Sequence, residues 1–244
     1  MSDSQKQKNF SRQFYPFLHE IAASSLADVL SSVKTSTLQK CADVVELRRQ
    51  VIQRESDNLV HCGEALTRAF AAGAKLLAFG NGGSATDAQD LVADCMLRGL
   101  PALSLTNDIG VVTAVGNDIG FENVFLRQVI AFGKPGDIAF GISTSGNSRN
   151  VELAFEMAHK LGLLNIGLAG YEGGQTAALQ RTGVVDFCFV APSSYVPRIQ
   201  EAHATIYHTL IELAYNMLDE QSPSSASSDS ANIPNLLPES KVQS

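Results

Sequence analysis

The segment Asp137-Ile138-Ala139-Phe140-Gly141-Ile142-Ser143-Thr144-Ser145-Gly146-Asn147-Ser148-Arg149-Asn150-Val151-Glu152 decides the architecture of this chain. Ile138 to Ile142 is a short apolar run, Ser143 to Ser148 a turn of hydroxyls, glycine and amide, and an amphipathic helical pattern starts at Val151. This is a buried strand, a tight loop and a helix start. The first turn of a helix offers backbone N–H groups without partners at the positive end of its dipole, which suits an anion. The hydroxyls add neutral donors. No Lys stands in the loop as it does in a nucleoside-triphosphate P-loop, so the expected ligand is a phosphate held by neutral groups.

The same alternation extends in both directions. Strands are expected at Lys75 to Phe79, Ala102 to Leu105, Asp137 to Ser143, Leu164 to Ala169 and Val184 to Val190. Helices are expected near 84–98, 108–115, 120–133, 148–161, 173–181 and 196–218. Short continuous apolar strands separated by helices predict an α/β fold with a five-stranded parallel sheet covered on both faces. Ligands of such sheets sit at the carboxyl ends of strands. Two informative loops fall there, Gly80 to Ser84 and Ser143 to Ser148.

Before the sheet, residues 1–9 read as a disordered start, and residues 10–72 as N-terminal helices with a break at Thr35, Ser36 and Thr37 and a C-cap at Gly73. A long amphipathic helix ahead of the main domain has to bury its stripe, and a partner chain is one solution. The main domain spans 73–218, and the Ser-, Pro- and Asn-rich residues 219–244 read as a disordered tail. The net charge of -7 and the pI near 5.2 argue against a nucleic-acid surface. No apolar run reaches transmembrane length and the polar start is no signal peptide, so a cytoplasmic protein without a membrane partner is expected. Cys41, Cys62, Cys95 and Cys188 form no CxxC pair and read as buried free thiols in a reducing compartment.

The loop Gly80-Asn81-Gly82-Gly83-Ser84-Ala85 permits positive φ and close approach of a ligand to the backbone. It fits the dinucleotide fingerprint only as a GxGxxA variant, and Leu105, Thr106 and Asn107 end the second strand where an acidic residue is needed. No nucleotide cofactor is expected. Further along, Gln200, Glu201, His208 and Glu212 lie on one predicted helix, and the eight-residue spacing puts Gln200 and His208 on one face. His203 falls off that face. His19, His61 and His159 read as packing or surface residues.

Four motifs in order, Gly80 to Ala85, Val115-Gly-Asn-Asp-Ile-Gly-Phe121, Gly141 to Ser148 and Arg198-Ile-Gln-Glu-Ala-His203, resemble the SIS (sugar isomerase) domain family over roughly residues 38–216, and within it the phosphoheptose isomerase branch. The resemblance implies a flavodoxin-like three-layer fold with N-terminal helices packed between subunits, usually in a homotetramer. It implies a phosphorylated sugar as substrate, with active sites at subunit interfaces. Carried over by position, Ser143, Thr144, Ser145 and Ser148 would cradle the phosphate. Asn81, Gly82, Gly83, Ser84 and Asp108 would meet the sugar, and Gln200 would bind both substrate and metal. His208 would bind metal and act as proton-transfer partner.

The chain departs from the family pattern on the helix after the first loop. The family carries a metal-binding His and, four residues on, a Glu that binds metal and serves as base; Asp90 and Asp94 stand at those positions. Both carboxylates still face one way, and their repulsion calls for a cation, a raised pKa or solvent. Asp94, the expected base, is a methylene shorter than Glu, a serious retraction for a proton taken over about 3 Å. The implied metal set Asp90, Asp94, Gln200 and His208 is harder than the family's and less selective for zinc, which leaves zinc, manganese, magnesium or no divalent metal open. Pro197 stands where the family often has an Asp, and the segment from Arg98 to Pro101 is shortened. The expected function is aldose–ketose isomerisation of a sugar phosphate such as sedoheptulose 7-phosphate by a homo-oligomer, a tetramer or dimer. The alternative is a non-catalytic sugar-phosphate binder or scaffold, as in the relative that associates with the DnaA replication initiator.

Overall fold

The computed structural model describes residues 26–221. The expectations for residues 1–25 and 222–244 lie outside the described residues. Helix α1 (Leu26–Ala71) is followed by β1 (Leu76–Gly80), α2 (Gly83–Leu97), β2 (Ala102–Ser104) and α3 (Ile109–Ile119). After a 3-10 turn at Phe121–Asn123 come α4 (Val124–Phe132), β3 (Ile138–Ser143), α5 (Arg149–Lys160), β4 (Leu164–Gly170), α6 (Gly174–Arg181), β5 (Phe187–Ala191) and α7 (Val196–Gln221).

All five strands are parallel, in the order β2-β1-β3-β4-β5. This is the flavodoxin-like order, in which the direction of strand addition reverses between β1 and β3. Every residue of β1 and β3 is buried, as the continuous apolar runs predict. One face of the sheet packs Leu76, Ala78, Phe140 and Ile142 against α1, α2 and α7. The other packs Leu77, Phe79 and Ala139 against α4 and α5, where Phe79 meets the edge of Phe155 with centroids 5.4 Å apart. Both glycine- and serine-rich loops therefore emerge side by side at the switch point.

The expected break at Thr35–Thr37 is absent: α1 is one helix of 46 residues. No Gly or Pro stands between Leu26 and Cys62, and isolated hydroxyl residues lower helix propensity by only a few tenths of a kcal/mol. Gly63 lies mid-helix because α7 passes close by; a Cβ there would sit 3.1 Å from Leu213 Cβ. Leu26, Leu30, Val33 and Leu38 are exposed along the N-terminal half of α1. Cys41 is also exposed, against expectation, because it lies on that uncovered half, whereas Cys62, Cys95 and Cys188 are buried free thiols. Among the described residues no helix is long and apolar enough to cross a membrane.

Candidate active site

The Ser143–Ser148 loop is held from below and from the side. Gly146 takes φ +68°, and its carbonyl accepts hydrogen bonds from Thr176 N and Oγ1 at 3.0 and 3.2 Å. Asn147 Oδ1 accepts from Gln175 N at 3.0 Å, which ties the loop to the start of α6. Ser148 is the N-cap of α5, yet its hydroxyl makes no cap bond and lies 2.9 Å from the hydroxyl of Ser143. The first N–H groups of α5 and a pair of hydroxyls thus point to one place, as an anion site requires. Thr144 is half-buried, Ser145 is exposed, and Ser143 is buried.

The glycine loop meets this cradle directly. Asn81 and Asn150 exchange side-chain amide hydrogen bonds of 2.8 and 2.9 Å, joining the end of β1 to the start of α5. A cleft of about 370 Å³ opens here, lined by Asn81, Phe121, Glu122, Ser148, Arg149 and Asn150. A smaller one of about 140 Å³ adjoins it along Gly80, Asn81, Gly82 and Thr106. The groove between α1 and the β5–α7 turn is larger, about 540 Å³, but it lies away from these convergent donors, and the strand-end clefts are the better ligand site. Ser84 is buried in the first turn of α2, and exposed Asp108 caps α3 through Val111 N at 3.0 Å.

Helices α2 and α7 bring the remaining residues together in two rungs. Gln200 lies against Gly83, whose added Cβ would fall 1.8 Å from Gln200 Nε2, and it hydrogen-bonds Asp87. Burial first, then the charge of Asp90, push the Asp87 carboxyl up to about 6 against that hydrogen bond. Its Oδ2 is buried without a partner among the described residues. Two turns on, His208 Nδ1 lies 3.0 Å from Asp94 Oδ2 and Nε2 lies 3.2 Å from Asp90 Oδ2. The Tyr207 hydroxyl donates to Asp90 Oδ2 at 2.7 Å, and the Arg98 guanidinium pairs with Asp94 Oδ1.

Asp87, Arg98, Tyr207 and Asn150 were not singled out from the sequence as site residues. The spacing of Asp87, Asp90, Asp94 and Arg98 along one helix face is a readable signal for two of them. Nothing in the sequence marks Tyr207 or Asn150. His203 is fully buried with Nε2 2.9 Å from the Ala169 carbonyl oxygen, off the Gln200–His208 face as the spacing predicts. Burial pushes its pKa down to about 4.

A sequence profile of the SIS domain matches residues 41–170. This chain belongs to the SIS domain family. Within it, the chain falls in the phosphoheptose isomerase branch. It is 47% identical over 167 residues to the phosphoheptose isomerase of Geotalea daltonii, covering 66% of this chain and 84% of that protein. It is 41% identical over 183 residues to that of Aquifex aeolicus, covering 72% and 93%. The solved phosphoheptose isomerase GmhA of Neisseria gonorrhoeae superposes with a TM-score of 0.70 at 35% identity, over 77% of this chain and 99% of that one. A phosphoheptose isomerase structure from Francisella tularensis gives 0.66 at 32% identity, over 78% and 98%.

The four residues of the expected metal set, Asp90, Asp94, Gln200 and His208, do not form one donor set here. Among the described residues no group of three or more His, Cys, Asp or Glu is arranged to hold a metal ion. The imidazole of His208 stands between the two carboxylates, with one ring nitrogen facing each. A single ion needs its donors to converge at about 2 Å. Gln200 is engaged on the other rung. In this arrangement Asp90, Asp94, Gln200 and His208 do not converge on one point.

Proposed function

We propose that this protein is a sugar-phosphate isomerase that interconverts the ketose and aldose forms of a phosphorylated sugar such as sedoheptulose 7-phosphate. The observation that carries this reading is His208 held between the carboxylates of Asp90 and Asp94. Isomerisation removes a proton from the carbon beside the carbonyl, passes through an enediol, and returns the proton to the neighbouring carbon. It needs a base and an acid within hydrogen-bond reach of adjacent atoms. The remote phosphate, held by the Ser143–Ser148 loop and the start of α5, fixes the sugar so that little orientational freedom is left to lose. Asn81, Gly82, Gly83, Ser84 and Asp108 border the sugar in this reading, and Gln200 reaches it from α7.

The working form is a homo-oligomer, a tetramer or dimer, in the cytoplasm. The exposed apolar residues Leu26, Leu30, Val33 and Leu38 of α1 support this, since a second copy burying that stripe removes it from water. A second reading, a sugar-phosphate binder without turnover, draws on Asp94. Arg98 engages one of its oxygens and His208 the other, so it offers no free oxygen to a substrate proton. An isomerisation assay on ketose 7-phosphates, run with folded protein, tests the two. Turnover supports the isomerase, and saturable binding without turnover at any metal condition supports the binder.

A further inference from the structure

The acid–base cluster carries its own cation. Arg98 is the C-cap residue of α2, where the negative end of the helix dipole favours a positive side chain. Its guanidinium pairs with Asp94 Oδ1, and Asp94 Oδ2 faces His208. Asp94 is only 12% exposed and Asp90 57%. The His208 ring stands between the two carboxylates with one nitrogen on each, so Asp90 Oδ2, Asp94 Oδ2 and a ring nitrogen do not meet at one point. Arg98 and His208 between them engage both oxygens of Asp94, which leaves it no oxygen for a divalent ion.

We infer that the proton-transfer centre of this protein is metal-independent, with Arg98 supplying through Asp94 the fixed positive charge and Asp90 and His208 forming the reacting pair. The inference rests on the isomerase reading. The exposed carboxylate of Asp90 takes the proton from the carbon beside the carbonyl. The C–H electron pair becomes the enediol double bond, and the carbonyl π pair moves to oxygen, which takes the Nε2 proton of His208. The neutral ring keeps its Nδ1 proton on Asp94. The hydroxyl of the neighbouring carbon then returns its proton to Nε2, its oxygen becoming the new carbonyl. Asp90 delivers its proton to the former carbonyl carbon. Nothing is oxidised or reduced overall, and no co-reactant is needed. Asp94 and Arg98 are positioning residues in this scheme: they orient His208 and set its charge environment.

The test is calorimetric titration of the full-length protein with Zn²⁺ and with Mn²⁺, beside solvent-deuterium exchange into sedoheptulose 7-phosphate with and without EDTA. The expected result is no saturable site below roughly millimolar metal and exchange unaffected by EDTA. Arg98→Met, checked for folding by circular dichroism, leaves the carboxylates unbalanced and gains metal affinity by at least about tenfold, while Arg98→Lys does not. A stoichiometric metal site in the unmodified protein, exchange that requires added metal, or no gain in Arg98→Met overturns the inference alone. Absence of exchange under every condition overturns the isomerase reading and this inference with it.

Discussion

His208 Nδ1 and Asp94 Oδ2 lie 3.0 Å apart although 114 positions separate them in the chain. The contact exists because α2, leaving the glycine loop, packs beside α7, and it makes His208 the best-placed proton carrier among the described residues. His208 is about half exposed, so its replacement leaves the core intact. His208→Gln is expected to lower kcat by roughly 10²- to 10⁴-fold while stability changes by less than about 0.5 kcal/mol. Steady-state kinetics beside thermal melts check both.

The phosphate cradle predicts a different kinetic signature. Ser143→Ala and Ser148→Ala each delete one hydroxyl of the 2.9 Å pair. Each is expected to raise KM by about tenfold, the equivalent of one hydrogen bond to a charged group, with a smaller effect on kcat. Gly146→Ala is expected to do more, because its φ of +68° disfavours any side chain and a Cβ would fall 2.2 Å from the Gly173 carbonyl oxygen. The left-handed backbone alone costs about 1–2 kcal/mol, so this variant loses stability as well as substrate affinity, read by urea melts and KM together.

Gly83→Ala separates site geometry from stability. Glycine is needed here for close approach rather than for φ: its Cβ would fall on Gln200 Nε2. The Gln200 side chain is flexible and moves away, and Ala favours the helix by about 1 kcal/mol over Gly. The expected variant is as stable as the parent or more so, yet weaker in substrate affinity. Unchanged affinity would remove Gln200 from the site.

Buried His203 and half-buried Asp87 give opposite pH signatures. His203 has a folded pKa near 4 against an ordinary 6.5. The neutral ring is the folded form, so its contribution is complete above 6.5 and is lost as pH falls towards 4, by about 3 kcal/mol in all. His203→Met is expected to be less stable near neutrality and to lack that acid slope. Asp87 runs the other way, with a folded pKa near 6 against 3.8. Its protonated form is the favoured one, so stability falls as pH rises from 3.8 through 6. Asp87→Asn is expected to melt higher than the parent above pH 6, with the difference vanishing near pH 4. Urea melts of the variants across this range isolate each slope.

The sheet was legible because β1 and β3 are continuous apolar runs that end in loops no core can use, and periodicity carries such information. The two strand-end loops were legible for the same reason. The break proposed at Thr35–Thr37 failed because hydroxyl residues cap a helix only when the chain turns there, and nothing after Thr37 makes it turn. The facing of α2 and α7 was legible only through the family resemblance, which sets Asp90 and Asp94 beside Gln200 and His208. The repeat of Asp87, Asp90, Asp94 and Arg98 marks a charged face, but which helix meets it is a matter of tertiary packing. Asp94 takes the role of base in the sequence reading because it stands where the family has its Glu; in the fold Arg98 and His208 engage its two oxygens.

The most direct test of the central claim is proton NMR of sedoheptulose 7-phosphate incubated with the protein in heavy water. The account predicts solvent deuterium beside the carbonyl and the appearance of the aldose 7-phosphate, both abolished in His208→Gln. Saturable binding of the sugar phosphate with neither exchange nor aldose would contradict it and make the protein a binder.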